Sequence, residues 1–316
     1  MSSTSSDRTP LSRFYAPRYW PTWLGLWTLW LLAHLPFPLQ IQLGKAIGYL
    51  SYLFARERRE ICRINLQLCF PELSESERHG LLRRTFLSNG IGVMEAAMSW
   101  CRNPGDFRDR VTLSGLENLR QARAEGRGVL LVCAHFTTLE FAGALLSLFE
   151  KMDVTYRKHN NPLFEAVMSN SRKRFYPAVI ERENVRDAYR SLQQGHILWY
   201  APDQDYGLRH SVFVPFFGVQ AATITATARF ARINDSAVVF FSHYRLADNS
   251  GYHLEFSQPL EDYPSGDEEA DAARINQIIE QAIRRHPEQY LWLHKRFKTQ
   301  AAGKFASPYP QKFRQQ

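Results

Sequence analysis

The chain has 316 residues, 45% of them apolar, which is enough for one large domain or two smaller ones with a sizeable core. Its 39 basic and 31 acidic residues leave a formal net charge of +8, which suits anionic lipid, an acidic protein or nucleic acid as a partner. The sequence contains no zinc-finger spacing, RNA-binding aromatic signature or basic zipper, so we expect no nucleic-acid partner.

The amino-terminal region is polar and basic, and we predict that residues 1–18 are disordered. Residues 19–44 then carry no Asp, Glu, Lys or Arg. This segment exceeds the ~20 residues that span a bilayer, although Pro36 and Pro38 interrupt it, and its tryptophans suit a membrane interface. It predicts a hydrophobic membrane anchor, either a short spanning helix or a helix lying in the interface. A buried core helix is the alternative.

Residues 45–110 are predicted to be helical. Apolar side chains recur at helical spacing in RREICRINLQLCF, residues 58–70. The next segment begins with Ser74 and Glu77, at the spacing of a capping box. The four cysteines form no C-x-x-C pair and lie in apolar or helical contexts, so we expect buried, reduced thiols in a cytoplasmic body.

From about residue 111 the pattern alternates between strand and helix. The predicted strands cover residues 129–133, 153–156, 196–200, 237–243 and 252–257. The predicted helices cover residues 139–150, 162–175, 184–194, 222–233 and 268–285. This alternation predicts a single α/β domain over residues 45–305, with a mixed sheet flanked by helices and a short tail at 306–316.

The segment GVLLVCAHFTTLEFAG, residues 128–143, places His135 and Glu140 where a predicted strand gives way to a predicted helix. On one helix they would point about 140° apart, so they can meet only if the chain bends between them. The carboxyl end of a strand is where α/β sheets bind ligands. A histidine oriented by a carboxylate there can take a proton from a hydroxyl. The structural alternative is a capping box of Thr137 and Glu140, and the local sequence does not choose between them.

Other charged residues also follow predicted strands. Arg157 and Arg182 can each hold a phosphate through two parallel hydrogen bonds, or can be solvated loop charges. Asp203 and Asp205 follow another strand and can equally be turn formers before Gly207. Their shared placement at strand ends favours a common site.

Several catalytic motifs are missing. The sequence has no G-x-S-x-G, P-loop, H-E-x-x-H or complete G-x-G-x-x-G, which argues against the enzyme classes that use them. No cluster has the spacing of metal ligands, so we expect no metal.

His135-x-x-x-x-Glu140 resembles the His-x-x-x-x-Asp/Glu motif of glycerolipid-type acyltransferases. Together with PRYWPTWLG, YRKHNNPLF, WYAPDQDYG, VFVPFFG and PEQYLWLHKRFKT, it makes the chain resemble the late acyltransferases of lipid A biosynthesis, over residues 17–299. The opening PRYWPTWLG favours the lauroyl-type branch. RKHNNP departs from the family segment around its middle, so Lys158 and His159 receive no role.

The resemblance implies transfer of a fatty acyl chain, of lauroyl type, from an acyl carrier protein thioester to a hydroxyacyl hydroxyl of the Kdo-bearing lipid A precursor. His135 would take the hydroxyl proton and Glu140 would orient His135. Arg157 and Arg182 would hold a phosphate or sugar acid, and Asp203 would position a substrate group or an arginine. No acyl-enzyme, metal or cofactor is required.

The implied partners are acyl carrier protein, the lipid A precursor and inner-membrane lipids. The implied location is the bacterial inner membrane, with the active site on the cytoplasmic side. One alternative is a lysophosphatidic acid acyltransferase, although its second motif for glycerol phosphate is missing. The other is a non-catalytic membrane-bound scaffold, in which His135 and Glu140 are a loop residue and a helix cap.

Overall fold

The computed structural model describes residues 8–303 and 306–313. Its strands are β1 Val111–Ser114, β2 Val129–Val132, β3 Asp153–Tyr156, β4 Val179–Glu181, β5 Ile197–Tyr200, β6 Ser211–Phe216, β7 Val219–Ile224, β8 Ala237–Arg245 and β9 Tyr252–Phe256. Seven of them form one sheet in the order β1-β9-β8-β2-β5-β3-β4. Neighbouring strands are parallel except β8 and β9, so the sheet is mixed, as predicted.

Ten α-helices accompany the sheet in the described part of the chain. They are α1 Trp20–Ala33, α2 Phe37–Phe54, α3 Arg56–Cys69, α4 Glu75–Cys101, α5 Leu116–Ala124, α6 Leu139–Leu146, α7 Pro162–Arg172, α8 Val185–Gln193, α9 Ala226–Ala231 and α10 Glu268–Arg285. The capping box predicted for α4 is confirmed, because Ser74 and Glu77 each accept a hydrogen bond from the other's backbone amide. Two reciprocal bonds of this kind fix where a helix begins.

The two central strands are buried on both faces, so their alternate side chains enter two separate cores. Leu131 of β2 packs with α5 and α6 on one face, which we call the α6 face. Leu130 packs with α8, α9 and α10 on the other, the α8 face. Helices therefore cover both faces of the sheet. The edge formed by the carboxyl-terminal ends of its strands, which we call the carboxyl edge, is left as the place for a site.

The five predicted strands correspond to β2, β3, β5, β8 and β9 and are confirmed. The sequence pattern missed the short strands β1 and β4 and the hairpin of β6 and β7. The helix predicted at 222–233 begins later, because residues 219–224 are strand β7 and only Ala226–Ala231 is helical. Phe217 and Gly218 both have positive φ, the backbone of a two-residue hairpin turn that sets this register.

The amino-terminal segment differs from its prediction. Residues 19–44 lie in two helices, α1 and α2, separated at the proline-containing link. No helix within the described ranges is both long and apolar enough to cross a membrane. Part of the predicted disordered region is folded, since Thr9 exchanges two backbone hydrogen bonds with the Asn170 side chain. The rest of that prediction, for residues 1–7, lies outside the described residues.

Helices α2 and α4 cross with their main chains in contact. A Cβ atom on Gly48 would lie 2.3 Å from the Phe86 carbonyl oxygen, and one on Gly90 would lie 2.2 Å from the Gly48 nitrogen. A Cβ atom on Gly44 would likewise lie 2.6 Å from the Ile91 Cα of α4. Any side chain at these positions would force the helices apart, so the crossing requires glycine.

Candidate active site

The loop after β2, residues 133–138, carries His135 and is held from two sides. The Leu291 amide donates to the His135 carbonyl oxygen at 3.0 Å, and the Thr137 amide donates to the Gln289 carbonyl oxygen at 2.7 Å. From α4, a Cβ on Gly92 would lie 2.9 Å from the Thr137 carbonyl oxygen. The backbone around His135 is therefore fixed by the carboxyl-terminal segment and by α4.

Asp203 holds the His135 side chain. One carboxylate oxygen of Asp203 lies 2.6 Å from His135 Nδ1, and the other accepts the His135 amide at 2.9 Å. Burial opposes ionisation of Asp203, but the His135 charge and the hydrogen bonds from His135 and Tyr290 outweigh it and lower the pKa to about 2. Because an ionised carboxylate only accepts, the neutral form of the His135 ring carries its proton on Nδ1 and has its lone pair on Nε2.

The predicted pairing of Glu140 with His135 is wrong, because Glu140 binds other groups. Its carboxylate accepts Arg172 Nε at 2.9 Å, Arg172 Nη2 at 2.5 Å and Trp100 Nε1 at 3.0 Å. Burial raises the pKa of Glu140, but the Arg172 charge and these hydrogen bonds give a net lowering. Glu140 is therefore the anionic half of an ion pair between α6 and α7.

The alternative reading of Glu140 as a capping residue is also wrong. Thr138 is the N-cap of α6 and makes no side-chain capping bond. The Thr137 hydroxyl instead lies 3.0 Å from the Ser88 hydroxyl of α4. The spacing of Thr137 and Glu140 matches a capping box, but each side chain instead makes a tertiary contact of its own.

A cavity of about 160 Å³ opens at the carboxyl edge of the sheet. Four of the five predicted site residues line it: His135, Glu140, Arg157 and Arg182. Its apolar lining consists of Cys133, Leu139, Val154, Tyr176 and Trp199. We call it the catalytic cavity. The fifth predicted residue, Asp203, is only 1% exposed and acts on His135, which corrects its predicted role in positioning substrate.

Arg172 lines the same cavity and was not identified in the sequence. Its guanidinium lies 5.3 Å from the centre of the Tyr156 ring in addition to pairing with Glu140. Burial lowers the pKa of Arg172, but Glu140 more than compensates and the net shift is upward. The sequence did contain a signal that Arg172 faces the interior. Arg172 follows the buried Glu165 and Ser169 at the spacing of one helix face. The neighbouring basic residues concealed it.

Asp205 acts as a turn former and as an anchor. It accepts the Gly207 amide at 2.9 Å, and the Thr299 amide and hydroxyl at 2.8 Å each. These bonds tie the carboxyl-terminal segment to the loop that carries Asp203. Lys158, which received no role, pairs with Glu181 at 3.5 Å.

Two further histidines lie near His135 and are kept neutral. Burial, and then the charge of His135, lower the pKa of both His243 and His294 to about 3. His243 Nδ1 lies 2.8 Å from the Thr138 hydroxyl, and His294 Nε2 accepts the Asp205 amide at 3.4 Å. Both therefore support the loops of the site as neutral hydrogen-bonding groups.

Within residues 8–303 and 306–313, no group of three or more His, Cys, Asp or Glu side chains is arranged to hold a metal ion. The arrangement combines a base-competent histidine with cationic side chains in a partly apolar cavity. It can take a proton from a hydroxyl beside a bound anionic group.

Comparison with known proteins extends this description. Residues 10–299 match the family model described as bacterial lipid A biosynthesis acyltransferase. The chain is 43% identical to the lipid A biosynthesis palmitoleoyltransferase of Escherichia coli K12, covering 92% of this chain and 95% of that one. It is 41% identical to the lauroyltransferase of the same organism, covering 91% and 94%. The myristoyltransferase is 31% identical, covering 95% and 93%.

Among solved structures, the chain matches the 1-acyl-sn-glycerophosphate acyltransferase of Thermotoga maritima at 13% identity and a TM-score of 0.37, covering 79% of this chain and 97% of that one. That likeness is too low to bear on function. The family match and the long alignments at 41–43% identity are decisive. The chain belongs to the bacterial lipid A biosynthesis acyltransferase family, and it is an acyltransferase.

Proposed function

We propose that this acyltransferase moves a fatty acyl chain from an acyl carrier protein thioester to the hydroxyl of a hydroxyacyl chain on the Kdo-bearing lipid A precursor. The observation that carries the proposal is the His135–Asp203 pair, which leaves His135 Nε2 as a base in a cavity that also contains arginines. The relatives named for lipid A biosynthesis support the choice of acceptor.

In the proposed step, the hydroxyl oxygen attacks the thioester carbonyl carbon as His135 Nε2 takes the hydroxyl proton. The new C–O bond forms and the C–S bond breaks, and the proton passes from His135 to the departing thiolate. Asp203 stabilises the imidazolium that exists between these events. Base catalysis of this kind contributes ~10²–10⁴-fold. The step needs no acyl-enzyme and no cofactor.

Arg157 and Arg182 are proposed to hold a phosphate or sugar acid of the acceptor. Both line the catalytic cavity and both are exposed. The Arg182 side chain bonds Glu183 at 2.7 Å, and that carboxylate is 63% exposed, so an anionic ligand can compete for the guanidinium. A guanidinium also matches phosphate and carboxylate geometry.

We propose that the donor chain is lauroyl, as the amino-terminal motif indicates. The relatives include a lauroyltransferase at 41% identity and a palmitoleoyltransferase at 43% identity, so palmitoleoyl is the second candidate. The two chains differ by four carbons and a double bond, and product mass separates them.

We propose that α1 and α2 lie in the interface of the inner membrane, with the active site on the cytoplasmic side. On α1, Trp20, Leu24, Trp27 and Leu31 are 46–65% exposed and share one helix face. On α2, the exposed apolar residues are Leu39, Tyr49, Leu50, Leu53 and Phe54. Apolar faces of this size suit a bilayer interface.

The experiment is mass spectrometry of the products from purified enzyme. The enzyme receives Kdo-bearing lipid A precursor and acyl carrier protein thioesters with saturated C12 and C14 chains and with palmitoleoyl, and His135→Ala runs alongside. One added acyl group, lost in the variant, supports the reaction, and the preferred mass identifies the chain. A folded, inactive wild type would overturn the proposed acceptor, and a lysophosphatidic acid acceptor would be tested next.

A further inference from the structure

A second cavity, of about 360 Å³, lies beside the catalytic cavity. Its apolar lining comprises Val185, Ala188, Tyr189, Ile224, Ala226 and Phe230. Charged and polar groups of Glu181, Arg182, Glu183, His210 and Arg229 also border it. Its volume falls within the ~300–1,000 Å³ range of small-molecule sites. We call it the α8-face cavity.

The two cavities lie on opposite faces of the same sheet. Trp199 lines the catalytic cavity and packs in the α6-face core. Phe230 lines the second cavity and packs in the α8-face core, together with Ala188. Alternate residues of a strand point to opposite faces, so the end of β5 separates the two apolar spaces.

The cavities meet over a shared wall. Thr155, Arg182, Tyr200 and Tyr206 line both of them. The Arg182 guanidinium lies 5.8 Å from the centre of the Tyr206 ring. A cationic group thus stands at the junction of the two apolar spaces, next to the cavity that contains His135.

We propose that the α8-face cavity binds the hydrocarbon chain of one of the two lipid substrates, with the polar end of that chain at Arg182. This inference rests on the proposed function, in which two acyl-bearing substrates must meet at His135. The catalytic cavity, at about 160 Å³, has less than half the volume of the α8-face cavity and is too small for two chains, so one of them needs a separate apolar space.

The lining chemistry suits a hydrocarbon chain. Tyr189 and Tyr200 each contact the Phe230 ring edge-on, with centroids 5.5 and 5.3 Å apart. These rings form a rigid wall, and the small side chains of Ala188 and Ala226 leave the space between them open. This part of the lining offers area for an apolar chain and few hydrogen bonds for a polar one, and the charged residues stand at its border.

The test fills the cavity with Ala226→Leu. The matched control is Ala124→Leu, at an exposed position at the end of α5. Helix α5 packs on the α6 face of the sheet, away from the α8-face cavity. Steady-state kinetics are measured against the lipid A precursor and against acyl carrier protein thioesters of several lengths. A few carbons' volume in an apolar pocket changes the specificity constant by about 10–200-fold.

Two results support the proposal and identify the source of the chain. A rise of about tenfold or more in the KM for the precursor, with donor preference unchanged, assigns the cavity to the acceptor. A shift to shorter acyl donors, with the precursor KM unchanged, assigns it to the donor. Wild-type kinetics in a folded Ala226→Leu variant would overturn the proposal.

A binding measurement separates this inference from the proposed reaction. Dansyl-labelled undecanoic acid is titrated into the full-length protein, and the fluorescence of the probe is followed. The His135→Ala variant is expected to retain binding of the probe. The Ala226→Leu variant is expected to lose about tenfold or more in affinity for it. If Ala226→Leu does not fold, Val185→Phe at the exposed edge of the cavity replaces it. Unchanged probe affinity in the folded variant would exclude an acyl-chain site there, whatever the enzyme's acceptor.

Discussion

The Asp203 carboxylate binds His135 twice, through the ring at 2.6 Å and through the backbone amide at 2.9 Å. The first bond fixes the tautomer of the imidazole and the second fixes the position of the loop that carries it. A ring held at both levels loses little freedom when it becomes cationic, so its proton transfer needs little reorganisation.

Asp203→Asn is expected to lower kcat by ~10²–10⁴-fold, because an amide cannot stabilise the imidazolium and can favour the wrong tautomer. Rates are measured with precursor and thioester at saturation. If the two residues act as a unit, the double variant with His135→Ala is about as impaired as the single variants. Losses that multiply would contradict a shared role.

Glu140→Gln is expected to lower the free energy of unfolding by about 1–3 kcal/mol, because it leaves the Arg172 charge, whose side chain is only 16% exposed, without its partner. The measurement is denaturant unfolding monitored by tryptophan fluorescence. Replacing both residues, as Glu140→Gln with Arg172→Gln, is expected to cost less than the sum of the single changes. Additive costs would show that the pair contributes little to stability.

Gly143→Ala is expected to alter the catalytic cavity. A Cβ there would lie 2.2 Å from the Trp199 ring and 2.4 Å from the Tyr176 hydroxyl oxygen, and both side chains line the cavity. Their displacement should shorten the preferred acyl donor and reduce stability by about 1–3 kcal/mol. Competition between thioesters of different length, read by product mass, measures the first effect. Unchanged preference would mean that these rings do not limit the chain.

Stability is expected to fall on mild acidification. His243 and His294 titrate near 6.5 when unfolded, but their pKa values are about 3 in the folded protein. Between those values the unfolded state binds more protons, so this stability is present above pH 6.5 and is lost as pH falls towards 3. Each histidine contributes a slope of about 1.4 kcal/mol per pH unit within that window.

The check is guanidinium unfolding at pH 7.5 and 5.5, with His243→Gln alongside. The variant should be less stable than the wild type at pH 7.5 and should lose less stability on acidification. Equal losses in the two proteins would show that His243 does not remain neutral. The lowered pKa of Asp203 gives a further loss of stability in a lower window, as pH falls from its unfolded value of about 3.9 towards about 2.

Leu24→Ser with Trp27→Ser is expected to weaken binding to vesicles of phosphatidylethanolamine and phosphatidylglycerol by more than about tenfold, because burial of each side chain contributes about 1.5–3 kcal/mol. Co-sedimentation measures the bound fraction. Leu208→Ser, at an exposed apolar position outside α1 and α2, is the control and should leave binding unchanged. Equal binding by all three proteins would exclude the α1 face as the membrane contact.

The shared position of the candidate site residues was predictable, because buried strands are readable as short apolar runs and charged residues that follow parallel strands meet at one edge of the sheet. His135, Arg157 and Arg182 were found in this way, and the structure brings them together in one cavity. The partners of the two carboxylates were not predictable in the same way. Glu140 of α6 pairs with Arg172 of α7, the next helix along the chain. Asp203 pairs with His135, which lies 68 positions earlier in the chain.

The local pattern also predicted the wrong element at strand β7, where tertiary contacts explain the small residues. Ala222 and Thr223 were predicted to begin a helix, but they lie in strand β7, where Arg296 donates to the Ala222 carbonyl oxygen and the Thr223 hydroxyl. The Arg296 guanidinium lies 73 positions after Thr223 in the chain, so no local pattern indicates this contact. Tertiary packing, rather than the local helix pattern, therefore determines the conformation of these residues.

The glycine crossing of α2 and α4 has a consequence for which hydroxyl is acylated. Helix α4 contacts α2 at Gly90 and the loop of His135 at Gly92, in both places with no side chain between the backbones. The distance from the exposed face of α2 to His135 is therefore fixed by main-chain contacts that do not vary with rotamer. If that face lies in a bilayer and His135 is the base, as we propose, the base works at one depth. Under the same proposal, regioselectivity follows from where the membrane holds the acceptor's hydroxyls along its normal.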